Sequence, residues 1–265
     1  MANSEESIMW FEPTMFPDVL PFGKTGVVIP VGFDKPPGGE IGSPNHALND
    51  HSYCCSLGMS ICAAGEPSTD YADSCLAFHN KRIGQRTKDA KRLQVPLMIT
   101  EFGACLTEDA CTQEISQVAD VSDDYMVGWA YWEFKTYKDL TTTAGDGEEG
   151  FYNKDGSIVA WKIKALARTY FEATQGVPTK FDFDMATGAF EAEYTVDTSI
   201  AAPTVMYTSQ QFYYPNGKKV TVSADGEMLT ADQVSYSELD DNHTSITITD
   251  STLNGKTINV SVAAL

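Results

Sequence analysis

Basic residues are scarce in this sequence. Lys and Arg together number 18 against 37 Asp and Glu, which leaves a formal net charge of −19. A protein that binds nucleic acid needs a basic face to neutralise phosphates, and anionic membranes attract clusters of Lys and Arg. The acidic balance therefore argues against nucleic acid as a partner and against simple electrostatic attachment to a membrane. It is compatible with a neutral, sugar-like substrate.

Long apolar runs and a recognisable leader are also missing. No run approaches the roughly 20 apolar residues that a membrane-spanning helix needs. The first residues, Met1–Ser7, show neither the basic nor the apolar region of a signal peptide. The 265 residues, of which 42% are hydrophobic and 11% aromatic, predict a globular protein with one large domain or a medium domain plus a small one.

Cysteine is absent after Cys111, and all six cysteines lie between Cys54 and Cys111. No two of them have the two-residue gap of a zinc knuckle, so no metal site is expected. Their crowding in loop-like sequence predicts disulfides, with Cys105 and Cys111 as one candidate pair, and an oxidising, extracellular or lumenal compartment. Two glycosylation sequons, at 242–244 and 259–261, agree with this. Because a lumenal protein normally carries a leader, we expect that the chain has lost its true beginning.

The sequence does contain short apolar runs that each end in a polar or aromatic side chain. Leu97–Ile99 is too short for a helix and predicts a buried strand that ends at Glu101. An amphipathic helix is predicted just upstream, over Leu76–Leu93. In a (β/α)8 barrel the carboxyl ends of the parallel strands carry the active site. The structural alternative for Glu101 is an acid that caps the next turn or pairs with an Arg.

Three further strands are predicted around this one, over Ile8–Pro13, Ala47–Tyr53 and Tyr125–Glu133. The first leaves Glu12 at its carboxyl end, and the last ends in aromatic residues that include Trp132. On the second, His51 and Tyr53 are two residues apart and share one side of the strand, either facing a site or stacking as a pair in the core. The remaining predictions for this region are a long loop over 14–45, with room for a short strand at Gly26–Pro30, and helices over Thr107–Asp120 and Ile158–Thr174.

The chain changes character near residues 175–179. Short β runs then alternate with turn dipeptides such as Asn216-Gly217 and Asn254-Gly255, a pattern typical of an antiparallel sandwich. Strands are predicted over Lys180–Asp184, Ala189–Tyr194, Thr204–Thr208, Lys218–Ser223, Ser245–Thr249 and Thr257–Val262. The sequence therefore predicts two domains, residues 1–177 and residues 178–265.

Taken in order, the strand-end motifs resemble a known family. They are His51-Ser-Tyr53, Thr100-Glu-Phe-Gly103 and Trp129-Ala-Tyr-Trp-Glu-Phe-Lys135. This ordered set is similar to the later half of glycoside hydrolase family 5, above all its endoglycoceramidase-like members. The resemblance covers residues 8–175 well and rests on architecture and position for 179–265. It implies an α/β fold, a partial (β/α)8 TIM barrel of about strands five to eight, followed by a small all-β sandwich.

The resemblance also implies an activity. Family members are retaining glycosidases that hydrolyse O-glycosyl compounds, and the endoglycoceramidase-like ones cleave the β-glycosidic bond between sugar and ceramide in glycosphingolipids. On this resemblance Glu101 is the nucleophile. The Tyr53 hydroxyl supports Glu101, and His51 orients the sugar or the acid/base.

The same resemblance implies the substrate contacts. Trp132 matches the platform under the sugar, since sugar C–H groups pack well on an indole. Glu133 and Lys135 follow directly and are candidates to reach sugar hydroxyls, although solvent-facing pairing is the favoured alternative for both. The expected partner is a glycolipid or oligosaccharide, with peripheral contact to a lipid surface. Such a reaction needs no metal or organic cofactor.

One departure from the family pattern matters. The family's acid/base is a Glu that follows Asn in an Asn-Glu-Pro motif on the fourth strand, whereas here Phe11 precedes Glu12 and Pro13. Residues 14–46 are also too few for the helix, strand and second helix that separate the fourth strand from the sixth. We therefore place these residues on the fifth strand, with Glu12 as acid/base the minor alternative.

This placement has consequences for the chain as a whole. Strands one to four and the acid/base are expected to be missing, and general acid catalysis contributes roughly 10²–10⁴-fold. The chain alone is therefore expected to be unstable and nearly inactive. Two alternatives stay open: another family 5 β-glycosidase that acts on β-glucan or β-mannan, and a non-catalytic fragment that binds sugar or lipid.

Overall fold

The structure, a computed structural model, describes residues 7–13, 19–20, 27–54, 62–63, 66–67, 69–134 and 149–265. The chain divides into two compact units, Met1–Lys162 and Ile163–Leu265. The first contains a parallel sheet with helices, and the second is built from antiparallel sheets. Within the described ranges, no helix has both the length and the apolar character to cross a membrane.

A four-stranded parallel sheet organises the first unit. The described elements are, in chain order, β1 (Met9–Phe11), β2 (Val19–Leu20), β3 (Val27–Val28), β4 (His46–Ser52), β5 (Cys62–Ala63), β6 (Glu66–Pro67), α1 (Ala72–Leu93), β7 (Leu97–Phe102), α2 (Glu108–Tyr125), β8 (Gly128–Trp129) and, reaching the second unit, α3 (Ala160–Leu166). Strands β1, β4, β7 and β8 lie side by side in that order, and each neighbouring pair is parallel. The short antiparallel pair of β2 and β3 falls in the predicted long loop, and β3 lies within the short strand predicted there at Gly26–Pro30. Because parallel strands end at the same edge of a sheet, the segments after β1, β4, β7 and β8 come together.

Helix α1 covers this sheet and contacts β4, β7 and α2. Its apolar side includes Ile83 and Leu93, which are fully buried. The helix ends at Gln94, whose left-handed backbone (φ 53°) lets its N–H bond to the carbonyl oxygens of the last turn. The chain then enters β7 directly, so the predicted order of helix, buried strand and strand-end acid is confirmed.

Charged side chains are buried where α1 meets the sheet. Asp50 on β4 accepts hydrogen bonds from Arg82 Nη2 at 2.7 Å and from Arg86 Nε at 2.5 Å. Arg82 Nε also donates to the carbonyl oxygen of His51 at 2.5 Å. All three charged side chains are at most 4% exposed. Charge-assisted hydrogen bonds of this kind constrain geometry, so this network holds the backbone of β4 in place where it presents His51.

Two disulfides lie in the described part of the first unit. They join Cys105 to Cys111, as predicted, and Cys54 to Cys75. Cys55 falls outside the described residues. Each bridge closes a loop at the carboxyl edge of the sheet, because Cys54 follows β4 and Cys105 follows β7.

The helix predicted over Ile158–Thr174 is wrong in its second half. Residues Tyr170–Ala173 form β9, the first strand of the second unit. Phe171 is 8% exposed, and its ring packs edge-on against Phe181 and Phe190. Burial in this aromatic cluster outweighs the helical spacing of a short amphipathic window, since intrinsic propensity is a weak constraint.

The second unit contains two antiparallel sheets. Its further strands are β10 (Gly176–Phe183), β11 (Phe190–Val196), β12 (Thr204–Tyr207), β13 (Lys218–Ala224), β14 (Glu227–Met228), β15 (Val234–Glu238), β16 (His243–Ile248) and β17 (Thr257–Ala264). One sheet has the order β10-β11-β17-β13-β14 and the other β15-β16-β12-β9. Both contribute to one apolar core that includes Tyr194, Met206, Ile246 and Val260. The antiparallel strands predicted after residue 179 are present, while β9, β14 and β15 escaped prediction.

Candidate active site

The carboxyl edge of the parallel sheet brings the predicted motifs together. The ladder between β4 and β7 places His51 opposite Glu101. Beyond β7 and β8, Gly103 and Trp132 still form a parallel bridge. Two backbone hydrogen bonds extend it, from Trp132 N to Phe102 O and from Ala104 N to Trp132 O, each 2.8 Å long. The ladder therefore continues past both strands and carries Trp132 to the side of Glu101.

Gly103 is required for this close approach of the two segments. Its φ of 99° lies in the region that side chains disfavour. A Cβ atom added at Gly103 would lie 2.1 Å from Cε2 of Tyr131. Phe102, which is fully buried, packs edge-on against the rings of Trp129 and Tyr131. Phe102 and Gly103 thus pack closely against the segment that contains Trp129 and Tyr131.

Tyr53 hydrogen-bonds to Glu101. Its hydroxyl donates to Glu101 Oε1 at 2.8 Å. Burial first, and then the charge of Glu101 and this hydrogen bond, raise the pKa of Tyr53 well above its ordinary value. The hydroxyl therefore keeps its proton throughout the ordinary pH range and acts as a permanent donor to the carboxylate.

His51 lies between two carboxylates. Its Nδ1 is 3.6 Å from Glu101 Oε1, and its Nε2 is 3.5 Å from Glu12 Oε2. The side chains of Glu101 and His51 are 26% and 16% exposed, whereas that of Glu12 is 48% exposed. Glu12 is held by Asn49, whose Nδ2 donates to Glu12 Oε2 at 3.0 Å and to Thr100 Oγ1 at 3.1 Å. The ends of β1, β4 and β7 are therefore joined by side chains as well as by backbone.

The predicted substrate-binding residues behave differently from one another. Trp132 is half-buried beside Gly103. Glu133 is only 6% exposed, so the solvent-facing alternative for it is wrong: the side chain is enclosed by the folded chain instead of lying in water. Lys135 lies outside the described residues.

One carboxyl at this edge escaped prediction. Glu149 follows β8 in a turn-rich stretch, and the charges of Glu133 and Glu101 both raise the pKa of its side chain, after the larger effect of burial. Lys162 and a hydrogen bond from the Trp132 side chain act in the opposite direction. The only signal in the sequence was an acidic, glycine-rich run, Gly145-Asp-Gly-Glu-Glu-Gly150, which gave no means of choosing between its acids.

A buried lysine holds this segment in place. Lys162 is fully buried, and its Nζ donates to the carbonyl oxygens of Cys105 and Glu149 at 3.0 Å and of Gly150 at 3.3 Å. Tyr131 OH also donates to the Glu149 carbonyl, at 2.9 Å. The segment after β7 and the segment after β8 are thus bound to one ammonium group.

Sequence comparisons relate this chain to known glycosidases. Residues 168–262 match the model of the glycoside hydrolase family 5 C-terminal domain. Over 141 residues the chain is 30% identical to endoglycoceramidase I of Rhodococcus hoagii (strain 103S), a match that covers 53% of this chain and 24% of that protein.

Solved structures share the fold. Endo-glycoceramidase II from Rhodococcus sp., in its ganglioside GM3 complex, matches with a TM-score of 0.68 and 18% identity, covering 97% of this chain and 49% of that chain. Sterylglucosidase 1 of Cryptococcus neoformans matches with a TM-score of 0.55 and 14% identity, covering 73% and 32%. The chain therefore spans about half the length of the first structure and less of the second.

These matches confirm the resemblance that the ordered motifs indicated. The α/β architecture of the first unit agrees with the TIM-barrel enzymes among the structural neighbours. The family model matches the strands of the second unit. The chain is thus similar to the endoglycoceramidases of glycoside hydrolase family 5, and its residues 168–262 match that family's C-terminal domain.

Proposed function

We propose that this chain is the later half of a retaining β-glycosidase that cleaves the bond between a sugar and ceramide. The observation that carries the proposal is the hydrogen bond of 2.8 Å from Tyr53 to Glu101 at the carboxyl ends of adjacent parallel strands. A retaining enzyme needs a fixed, ionised carboxylate at this place. The substrate class is suggested by the names of the relatives, one of which was solved with ganglioside GM3.

In the first step Glu101 attacks the anomeric carbon of the sugar. Tyr53 occupies Oε1, so Oε2 is the oxygen that forms the new C–O bond. The bond from the anomeric carbon to the ceramide oxygen breaks, and a general acid protonates that oxygen as it leaves. The products are a glycosyl ester of Glu101 and free ceramide.

In the second step water replaces Glu101 on the sugar. The acid of the first step, now a base, takes a proton from water, and the hydroxyl attacks the anomeric carbon as the ester bond breaks. Glu101 returns as a carboxylate, which Tyr53 stabilises as a permanent donor. Trp132 stacks on the ring, and His51 orients the sugar or the acid/base.

The acid/base is proposed to lie outside this sequence. We assign β1, β4, β7 and β8 to barrel strands five to eight, which puts Glu12 on the fifth strand and not the fourth. The His51 ring, 3.5 Å from Glu12 and 3.6 Å from Glu101, stands between the two carboxylates. The outer strand β1 also leaves Met9 52% and Trp10 48% exposed, as expected of a sheet edge that a further strand covers.

An extracellular or lumenal location is proposed for the same protein. The bridges Cys54–Cys75 and Cys105–Cys111 support it, since disulfides persist in oxidising compartments. Peripheral contact with a lipid surface is proposed from the substrate class, because ceramide lies in a bilayer. Neither proposal affects the assignment of the nucleophile.

Covalent trapping tests the nucleophile without an acid/base. A 2-deoxy-2-fluoro glycoside with a dinitrophenolate leaving group needs no protonation, and the fluorine slows release of the glycosyl ester. We expect the complete gene product to gain the mass of one sugar, located on the peptide that contains Glu101. The variant Glu101→Gln should gain none, whereas Glu108→Gln, an exposed control in the same unit, should label like the wild type.

Natural glycosylceramide separates the two parts of the proposal. The chain should release sugar from it at least about 10²-fold more slowly than a family member with a general acid. Labelling at another carboxyl would refute Glu101 as the nucleophile. Rapid turnover of glycosylceramide would refute an acid/base outside this sequence. Preference for a β-glucan or β-mannan over glycosylceramide in the complete gene product would refute the substrate class.

A further inference from the structure

Glu149 is held at the active edge by its backbone. Its carbonyl oxygen accepts hydrogen bonds from Lys162 Nζ at 3.0 Å and from Tyr131 OH at 2.9 Å. Both donors belong to the first unit, and Lys162 is fully buried. A buried ammonium group needs its acceptors, so the position of Glu149 is determined more strictly than that of an ordinary loop residue.

The side chain of Glu149 faces the groups that form the proposed site. Its carboxyl accepts a hydrogen bond from the side chain of Trp132 and interacts electrostatically with Glu133, Lys162 and Glu101. Its charge also affects Tyr53, the donor to Glu101. The carboxyl is therefore within electrostatic reach of both the nucleophile and the indole platform.

One oxygen of this carboxyl is left over. Within the described part of the chain, Oε2 of Glu149 is buried and has no hydrogen-bond partner. Leaving a buried polar atom unpaired is unfavourable, and such atoms are rare in native proteins. A ligand hydroxyl in the cleft is one partner that removes this cost.

We propose that Glu149 is a substrate-binding and positioning residue of this site: it holds the indole of Trp132 and binds, through Oε2, a hydroxyl of the sugar that stacks on that indole. This inference rests on the proposed function. The Trp132 N–H fixes the carboxyl relative to the platform, so the distance between Oε2 and a stacked ring is set by the protein. The ligand chemistry is a sugar hydroxyl next to the face that the indole covers.

The surroundings of Glu149 act on its carboxyl in both directions. Burial and then the charge of Glu133 raise its pKa, as does the charge of Glu101, whereas Lys162 and the hydrogen bond from Trp132 lower it. A carboxyl oxygen can pair with a sugar hydroxyl in either protonation state, because a hydroxyl both donates and accepts hydrogen bonds.

Deoxy sugars provide the test. The kcat and KM of the complete gene product are measured on β-glycosides in which single hydroxyls are replaced by hydrogen, for the wild type, Glu149→Ala, Glu149→Gln and the control Glu108→Gln. Glu149→Ala should raise KM about tenfold on the parent glycoside, and Glu149→Gln, which keeps an acceptor for the indole and a group for the hydroxyl, should recover most of this loss. One deoxy sugar should bind about tenfold more weakly to the wild type yet suffer no further loss with Glu149→Ala.

The outcomes separate a binding role from a structural one. If Glu149→Ala leaves KM within about twofold of the wild type, or weakens every deoxy sugar equally, the proposal is wrong. Trapping of Glu101 is measured in parallel on the same variants. A wild type that is trapped at Glu101 but shows no coupling to any hydroxyl overturns only the role of Glu149, whereas a wild type that is not trapped overturns the proposed function itself.

Discussion

The two units of this chain bury different kinds of side chain. The core of the first unit encloses ionisable groups such as Asp50, Arg86, Glu133 and Lys162. The core of the second unit is apolar and aromatic, and Arg168 is the charged side chain that it buries among the described residues. Among the described residues, the first unit therefore buries several charged side chains, whereas the second buries one.

The difference determines which property, geometry or stability, each core mainly supports. Buried charges must be paired, so every one of them constrains the direction of its neighbours. Such constraints suit a site in which carboxylates have to keep fixed positions. An apolar core gives stability through area and packing and constrains individual polar atoms less. Substitutions in the two units should therefore differ in what they damage, activity or stability.

Glu101, the proposed nucleophile, should show the largest effect on activity. Glu101→Gln removes the attacking oxygen while keeping the size and the acceptor for Tyr53. Turnover of glycosylceramide by the complete gene product should fall by at least about 10⁴-fold, with the urea midpoint little changed. The exposed control Glu108→Gln should keep full activity. Retained turnover in Glu101→Gln would contradict the role assigned here.

The buried ion network should show the largest effect on the stability of the first unit. Asp50→Asn leaves Arg82 and Arg86, which are at most 4% exposed, without their shared carboxylate. Removing one partner of a buried pair typically costs about 3–5 kcal/mol. Urea unfolding monitored by hydrogen exchange in α1 would measure this loss. The control is Asp34→Asn, at an exposed site. If this variant loses as much stability as Asp50→Asn, the loss does not come from the buried network.

The core of the second unit should respond in stability alone. Phe190 is 1% exposed and packs against Phe171 and Phe181. Phe190→Ala should lower the free energy of unfolding of this unit by about 3–5 kcal/mol, because it creates a cavity. Trapping of Glu101 per folded molecule should be unchanged. Met228→Ala, at a position 58% exposed, is the control. If Phe190→Ala lowers trapping by more than it lowers the amount of folded protein, the proposed contrast between the two units is wrong.

Tyr53 should show a smaller effect on activity. Tyr53→Phe removes one hydrogen bond to a charged group, which is worth about 1.5–3 kcal/mol. The rate of glycosyl-ester formation, measured as a burst of dinitrophenolate, should fall about 10-fold to 100-fold. Tyr71→Phe, at a side chain 41% exposed, should leave the burst unchanged. A burst of wild-type size in Tyr53→Phe would remove this residue from the mechanism.

The smallest effect should be a change in the pH dependence of stability. The pKa of Glu149 in the folded state is raised above 4.5, so over the interval above that value the folded chain binds more protons than the unfolded chain. The contribution of Glu149 to the free energy of unfolding therefore falls as pH rises through that interval and is fully present below it. Glu149→Gln should flatten this part of the curve of urea midpoint against pH. An unchanged slope would mean that Glu149 titrates in its ordinary range.

Local patterns predicted much of the fold and part of the candidate site. The strand that leads to Glu101 was recognisable as a short apolar run with the acid at its end, and His51 and Tyr53 were predicted to share one side of theirs because they are two residues apart. The prediction of a helix over Ile158–Thr174 was wrong because Phe171 packs in an aromatic core formed with strands that are distant in the sequence. The burial of Glu133 could not be predicted, since a residue just after a strand end reads as exposed in sequence.

The sequence by itself determined the order of the chemistry: an acid on one strand, a tyrosine and a histidine on the strand before it, and a tryptophan after it. Only the tertiary structure decided which atoms meet. Tyr53 reaches Glu101 Oε1 because β4 and β7 are paired in parallel, and Glu149 joins the site because Lys162 and Tyr131 hold its backbone. The physical reason is that periodicity and propensity act over a few residues. Hydrogen bonds to a buried ammonium and pairing between strands join residues that are far apart in the chain.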